Sequence, residues 1–465
     1  MSKHEKKNPE RDHEQELAGP FFAVLFLLTL VAFILPLRPE TSLRERRKLR
    51  EFPEFTVQSL LSGDYFDDIT AWFSDTFPGR ETMLEVSDRL NSVHGLNKNE
   101  VALSGGTIDD SDELDTLVEE AESREGMAQG AAPVQQETLT PQMTEVPEQE
   151  QSAEEAVNAD AVIEDWVGLN GEEEMQMYGD LVVIDGVAMS KIGFDKDTSD
   201  HHVELMNRAG DTLAAKGVRF FNLPVPTSIS VLLSSDMLKE LGTADQGKTL
   251  RYMFALENDN VGKVNAFNSL LAHNTEYLYF NSDHHWTALG AYYAYEELCR
   301  VAGFEAIPLS EYTEWNMGEF LGSNAYNVTA KLKPDEMIAY VPPGNINMEI
   351  PGYPKETSVI VDETDAYPNM KYNCFIAGDN QITTITNEDL PDAPDCLVIK
   401  DSFGNPFVVY LTQHYHRVIV LDYRKNFTPV STVAEQYGVR DVILVQSIGV
   451  SQSRSAQYLL DNLMK

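Results

Sequence analysis

Two short strings carry the residue types that acyl transfer needs. The first, Asn281-Ser282-Asp283-His284-His285-Trp286, places a carboxylate two positions before an imidazole. Histidine titrates near neutral pH and can act there as a general base, and a carboxylate beside it fixes its tautomer and stabilises the imidazolium. The second, Lys400-Asp401-Ser402-Phe403-Gly404, offers a hydroxyl nucleophile followed by a glycine that permits a tight backbone path. Together the strings supply a Ser-His-Asp triad, with Ser402 as nucleophile, His285 as its base and Asp283 as the orienting carboxylate. Each string also has a plainer reading. Ser282 or Asp283 can cap a helix, and Asp401 or Ser402 can be turn residues. A second string, Ser199-Asp200-His201-His202, precedes a helical stretch and shows that such a pattern can arise from capping alone.

For the two strings to meet, both must lie at one edge of a sheet. Beyond about Gly171 short β-rich runs alternate with longer helical ones, the pattern of an α/β fold with a mostly parallel sheet. The strand candidates are LVVI (181–184), VRFFNL (218–223), EYLYF (276–280), CLVIK (396–400), RVIVLD (417–422) and DVILVQ (441–446). The Asp-His string follows EYLYF and the serine string follows CLVIK, and open parallel sheets form sites beyond the carboxyl ends of their strands. The Ser402 turn leads into a predicted helix, so its own backbone N–H can face an oxyanion.

Three further residues are candidates for substrate or oxyanion contacts. Asn380, after the apolar run CFIA and Gly378-Asp379, can donate its side-chain amide to the oxyanion, against the plainer reading of a turn. Arg424, just beyond RVIVLD, can meet an anionic sugar or an acyl group, against the commoner surface ion pair. Trp286 can stack on a sugar, against packing on the helix that follows it. His414 and His416 read as residues of a surface helix end. The sequence has no HExxH string, no clustered metal ligands and no glycine-rich phosphate loop, so neither a metal nor an organic cofactor is expected.

The composition narrows the class. The 465 residues include 75 acidic against 35 basic, a formal net charge of -40 that leaves no basic footprint for nucleic acid. With 42% hydrophobic residues much of the chain can bury a core. Cys299, Cys374 and Cys396 form no disulfide framework; the last two sit in apolar runs that read as buried strands.

Residues 1–20 form a polar tail. Residues 21–37, FFAVLFLLTLVAFILPL, run without a charge at the short end of a bilayer span. No small-residue cleavage site follows Pro36, which favours an uncleaved anchor over a signal peptide. Residues 38–105 carry Phe, Trp and Leu at helical spacings and read as a juxtamembrane helical segment. Residues 106–170 read as an acidic disordered linker, since Ile108 to Asp165 holds eighteen acidic residues, one basic residue (Arg124) and no aromatic. Residues 171–465 are the candidate catalytic domain. Arg38, Arg44, Arg46, Arg47, Lys48 and Arg50 outnumber Lys6, Lys7 and Arg11, so positive-inside counting by itself keeps that domain in the cytoplasm.

The string SDHHWTALGAYYAY, followed by IKDSFGN and then VIVLDYR, resembles the DHHW family of bacterial surface proteins, which is related to the SGNH hydrolase-like domains of alginate O-acetylation proteins. The likeness covers roughly the last 300 residues and extends to EFPEFTVQSLLSGDYFDDITAWFSDTFPGR in the stalk. It implies an SGNH-like three-layer sandwich in which Asp283, His285 and Trp286 match an Asp-x-His-Trp signature, His284 takes the variable position and Ser402 is the nucleophile. The order, Asp and His before Ser, is that of the alginate-type proteins. The serine string departs from theirs, so no oxyanion donor carries over.

The resemblance further implies O-acetyl transfer to, or removal from, an exported cell-surface polysaccharide through an acyl-enzyme on Ser402. It implies a single-pass protein of the bacterial membrane with its domain outside, and a membrane-bound O-acyltransferase as the partner that supplies acetyl groups. The competing expectation is a non-catalytic glycan-binding or envelope scaffold module with a degenerate fold. A lipase or protease is disfavoured because no GxSxG elbow occurs.

Overall fold

The computed structural model describes residues 113–128, 175–352, 357–366 and 368–464, with short pieces between 41 and 77. The expected anchor at 21–37 lies outside the described residues, as does most of the juxtamembrane segment. Among the described residues no helix is long and apolar enough to cross a membrane. The chain forms two compact units, Met1–Glu100 and Val101–Lys465. In the first, Thr41–Ser42 pairs antiparallel with Arg47–Lys48, and Phe52 meets Trp72 edge-on at 4.8 Å.

The second unit opens with helix α1 (Leu114–Ala128) and an antiparallel meander, β1 (Gln176–Tyr178), β2 (Leu181–Ile184) and β3 (Val187–Ser190). Then come α2 (Lys196–Ala214), β4 (Arg219–Val225), α3 (Gln246–Leu256), β5 (Val261–Lys263) and α4 (Ala288–Ala302). A hairpin of β6 (Thr313–Phe320) and β7 (Asp335–Val341) leads to β8 (Ile346–Glu349) and β9 (Ile382–Asn387). The chain ends with β10 (Cys396–Lys400), α5 (Gly404–Leu411), β11 (Arg417–Asp422), α6 (Val430–Tyr437), β12 (Asp441–Ser447) and α7 (Arg454–Leu463).

The central sheet has seven strands in the order β8-β9-β11-β10-β12-β4-β5. It is parallel from β11 to β5 and antiparallel at the β8-β9 edge. The inner strands are apolar at nearly every position because both faces are covered. Leu397, Ile399, Ile419, Leu421, Val442 and Leu444 pack against α2, α6 and α7. Their alternates Val398, Val418, Val420, Ile443 and Val445 pack with α4 and α5. The fold is therefore mixed α/β, a central sheet between two helical layers.

Four of the six expected strands lie in this sheet, and two do not. LVVI is a strand of the separate meander. EYLYF is no sheet strand. Its Phe280 N–H donates to the His285 carbonyl, its Leu278 carbonyl accepts from Thr287 N–H, and Tyr279 bridges Trp286. The loop that follows takes the backbone groups a neighbouring strand would use. Cys374 closes a 3-10 turn, Pro368–Cys374, rather than a strand; all three thiols are buried and unpaired.

The acidic stretch expected to be disordered contains α1. Leu114, Val118 and Ala121, at helical spacing, bury one face against Ile192, Phe194, Leu250, Met253 and Phe254. Glu122 pairs with Arg251 at 2.9 Å and Asp115 with Lys248 at 2.5 Å, both partners on α3. The acidic residues fill the outer face of an amphipathic helix, which a count over the whole stretch conceals.

Glu257, at the end of α3, is 4% exposed. One of its oxygens accepts from Asn222 Nδ2 at 2.7 Å, and the other meets no partner among the described residues. Burial pushes its carboxyl up to about 8. The folded protein keeps this proton where the unfolded chain loses it, so the group erodes stability as pH rises from about 4.5 through 8, by roughly 3 kcal/mol at pH 7. Glu257→Gln is expected to raise the melting temperature by several degrees at pH 7.5 and to change it little at pH 5. Thermal melts at the two pH values check this, and an equal shift at both would show that Glu257 is ionised in the fold.

Candidate active site

β10 lies between β11 and β12, to which the chain crosses in turn, so its carboxyl end is a point where a cleft opens above the sheet. Ser402 sits just beyond that end. Asp401 fixes the turn from two sides, accepting the Phe403 N–H and, from β12, the Ser447 N–H, each at 2.9 Å. Burial pushes the Asp401 carboxyl up. Gly404 fits where a Cβ would come within 2.5 Å of the Lys400 Cβ. The Tyr372 hydroxyl donates to the Ser402 carbonyl at 3.0 Å.

The Asp-His loop is gathered by Asp335 on β7. That carboxylate accepts the Asn281 N–H at 2.7 Å, the Ser282 N–H at 2.8 Å, and the hydroxyls of Ser282 and Tyr277. Ser282 Oγ in turn accepts the Gly322 N–H at 2.9 Å. Asp283 is thereby set between two partners. Its Oδ1 accepts the His285 N–H at 3.1 Å and Nδ1–H at 2.5 Å, while its Oδ2 accepts the Ser323 N–H at 2.7 Å and Oγ–H at 3.0 Å. With Nδ1 donating to a carboxylate, His285 Nε2 carries the lone pair. Ser402 Oγ lies 2.7 Å from it.

Aromatic rings hold the imidazole. Tyr372 stacks on His285 with ring centres 4.0 Å apart and planes 11° from parallel, and Phe403 packs at 5.1 Å. Burial, with Asp283 close by, pushes the Tyr372 phenol well above its ordinary value, so its hydroxyl stays a donor. His285 and Asp283 are each 1% exposed. The structure thus brings Asp283, His285 and Ser402 into one hydrogen-bonded line, the arrangement by which a serine hydroxyl loses its proton to a base.

The other candidates have different tasks. Trp286 is fully buried and donates Nε1–H to the Phe403 carbonyl at 2.9 Å, tying the histidine loop to the serine turn; no face is left for a sugar. Asn380 turns its amide to the carbonyls of Ile376, Ala377 and Gly378 at 3.3 to 3.4 Å, closing its own turn. Arg424 donates to Asp422 and to Asp379. Lys400 joins it on Asp379 at 2.7 Å. Burial alone would raise the Asp379 carboxyl, but Arg424 and Lys400 hold it well below its usual range. The guanidinium therefore braces the strand ends instead of facing a substrate.

His414, just past the end of α5, is half-buried. It lies 2.7 Å from the Tyr295 hydroxyl and 3.6 Å from Cys299 Sγ, and burial lowers it to about 4. The second Ser-Asp-His-His string runs inside α2, which Asp195 caps. Its His202 is buried against Gln457 and also lowered to about 4. Sequence reasoning missed Asp335, Gly322, Ser323 and Tyr372. Ser323 stands 40 residues from Asp283, and Tyr372 stands 30 from Ser402, with no local pattern to mark them.

The donor atoms of Asp283, His284 and His285 lie within 4.8 Å of one another, close enough to share a cation. Asp283 and both ring nitrogens of His285 are already engaged with each other, with Ser323 and with Ser402.

A mixed α/β domain with a serine, a histidine and an aspartate aligned at the carboxyl edge of its sheet is the class the geometry defines. The DHHW protein family model matches residues 45–421, and the chain belongs to that family. A DHHW family protein from Eubacterium siraeum DSM 15702 is similar in structure, with 23% identity over 63% of this chain and 99% of its own and a TM-score of 0.56. Bacillus cereus PatB1, solved with a sulfonyl adduct, is similar with 18% identity over 61% of this chain and 98% of its own and a TM-score of 0.50. At these identities the likeness shows the fold. No curated protein sequence matches the chain.

Proposed function

We propose that the domain is an SGNH-like serine O-acetyltransferase or acetylesterase acting on a cell-surface polysaccharide. The observation that supports it is the 2.7 Å contact of Ser402 Oγ with His285 Nε2, continued through Nδ1 to Asp283. Ser402 Oγ attacks the ester carbonyl as His285 takes its proton. The Oγ–C bond forms, the bond from carbon to the leaving oxygen breaks, and the proton passes from His285 to that oxygen. A sugar hydroxyl or water, deprotonated by His285, then attacks the acyl carbon; the bond from that carbon to Ser402 Oγ breaks and the proton returns from His285 to Oγ. The Ser402 N–H makes no hydrogen bond among the described residues and lies two residues ahead of α5, which suits an oxyanion donor.

Membrane anchoring through residues 21–37, exposure of the domain at the cell surface and supply of acetyl groups by a membrane-bound O-acyltransferase belong to the same reading. They rest on the uncharged run and on the family resemblance. The test is mass spectrometry of the full chain after exposure to p-nitrophenyl acetate. One acetyl group on the peptide bearing Ser402, absent from Ser402→Ala, is expected. No adduct and no ester turnover in either protein would replace the enzyme with a glycan-binding module.

A further inference from the structure

His284 stands between Asp283 and His285 in the chain and has no task in the steps above. Its side chain is 19% exposed while its two neighbours are buried, so it can be exchanged without opening the line from Asp283 to Ser402. Its ring lies 3.8 Å from that of His285, with the planes 37° from parallel. Its Nδ1 lies 2.9 Å from Ser323 Oγ and 3.6 Å from Asp283 Oδ1.

The direction of these contacts follows from counting protons. An ionised carboxylate can only accept, and a serine hydroxyl has one proton to give. Ser323 Oγ gives that proton to Asp283 Oδ2 at 3.0 Å, so its 2.9 Å contact with His284 requires the ring to donate from Nδ1. In the tautomer that carries its proton on Nε2, Nδ1 would instead compete with Asp283 for the same hydroxyl proton. With a proton on Nδ1 the contacts run in one direction, from His284 Nδ1–H to Ser323 Oγ and from Ser323 Oγ–H to Asp283 Oδ2. The other carboxylate oxygen, Oδ1, accepts Nδ1–H of His285. A hydroxyl that accepts a hydrogen bond is polarised to donate a stronger one.

We propose that His284 is a positioning residue, which acts through the Ser323 hydroxyl to hold Asp283 in the orientation that fixes the His285 tautomer. The inference rests on the acyl-enzyme reading and gives His284 no contact with substrate. Without the His284 Nδ1–H the Ser323 hydroxyl is no longer held toward Asp283, and Oδ2 retains the Ser323 N–H but loses the Oγ–H.

The test is steady-state kinetics of the full chain on p-nitrophenyl acetate with His284 replaced in turn by residues that keep or lose the donor. The amide nitrogen of Asn is bonded to Cγ, as Nδ1 is; that of Gln lies one bond further out, near the place of Nε2; Leu has none. His284→Leu is expected to lower kcat and kcat/KM alike by roughly 10- to 100-fold, the range for losing a hydrogen bond in a charged network. His284→Asn is expected to recover most of that loss and His284→Gln little of it. Ser323→Ala is expected to behave as His284→Leu does, and the double variant to be no worse than either, because both remove one contact. If His284→Leu fails to fold, the contrast between His284→Asn and His284→Gln carries the test. Wild-type rates in His284→Leu, a His284→Gln protein as active as His284→Asn, or additive losses in the double variant overturn the positioning role, while Ser402-dependent turnover keeps the enzyme reading. Absence of Ser402-dependent turnover in the wild type overturns both.

Discussion

Alanine at Ser402 or at His285 is expected to lower acetyl-ester turnover by roughly 10⁴- to 10⁶-fold, with the double variant no worse than either single one. The two groups act through one contact, Oγ to Nε2 at 2.7 Å, so removing either removes the same step. Asp283→Asn is the more discriminating change. Backbone N–H groups that can only donate face both positions, Ser323 at 2.7 Å on Oδ2 and His285 at 3.1 Å on Oδ1; the amide oxygen of an asparagine is expected to turn to the shorter contact, which sets its NH₂ against His285. The imidazole is then forced to carry its proton on Nε2, where it cannot accept one from Ser402. Turnover is expected to fall by about 10³- to 10⁴-fold with little loss of thermal stability. Steady-state kinetics beside thermal melts check this. An asparagine variant within tenfold of wild type would show that Asp283 does not set the tautomer.

Gly322→Ala is expected to disable the same aspartate from outside. A Cβ at this position would lie 2.1 Å from the Asp283 Cβ and 2.5 Å from its Oδ2. The Gly322 φ of -81° is ordinary, so alanine meets no backbone penalty and the whole effect is collision. If the 322–323 segment retreats, Asp283 loses both donors of Ser323 and Ser282 loses the Gly322 N–H. If Asp283 retreats, His285 loses its orienting partner. Either response should reduce kcat/KM by about 10²- to 10³-fold and destabilise the fold by roughly 1–3 kcal/mol, the usual range for forced overpacking. Ester kinetics and denaturant unfolding of the variant measure the two effects separately. Full activity in a folded Gly322→Ala protein would mean that the loop is not the clamp the distances describe.

The central strands and the residues of the Asp283-His285-Ser402 line could be found in the sequence for local reasons. CLVIK, RVIVLD and DVILVQ are apolar throughout because helices cover both faces, and Asp283 and His285 are near neighbours ahead of a helix. EYLYF misled because an aromatic, apolar run looks the same whether its backbone pairs with a strand or with its own following loop. Arg424, Asn380 and Trp286 were visible as residue types at suggestive places, but their hydrogen bonds go inward. What spacing could not reveal is the support. Asp335 on β7 gathers the loop, Ser323 holds Asp283 and Tyr372 stacks on His285, and each arrives by tertiary folding alone.

Helix α1 alters what the acidic stretch connects. Because Leu114, Val118 and Ala121 are seated in the core beside α3, the residues up to Ala128 and those from Met175 onward belong to the same compact unit. A proteolytic nick between Ala128 and Met175 is expected to sever a peptide bond without separating the pieces, since the fragment that carries α1 keeps its grip through the buried apolar face and Glu122. A break in the chain after Ala128 therefore leaves two polypeptides in one folded body, joined by the apolar face of one short helix.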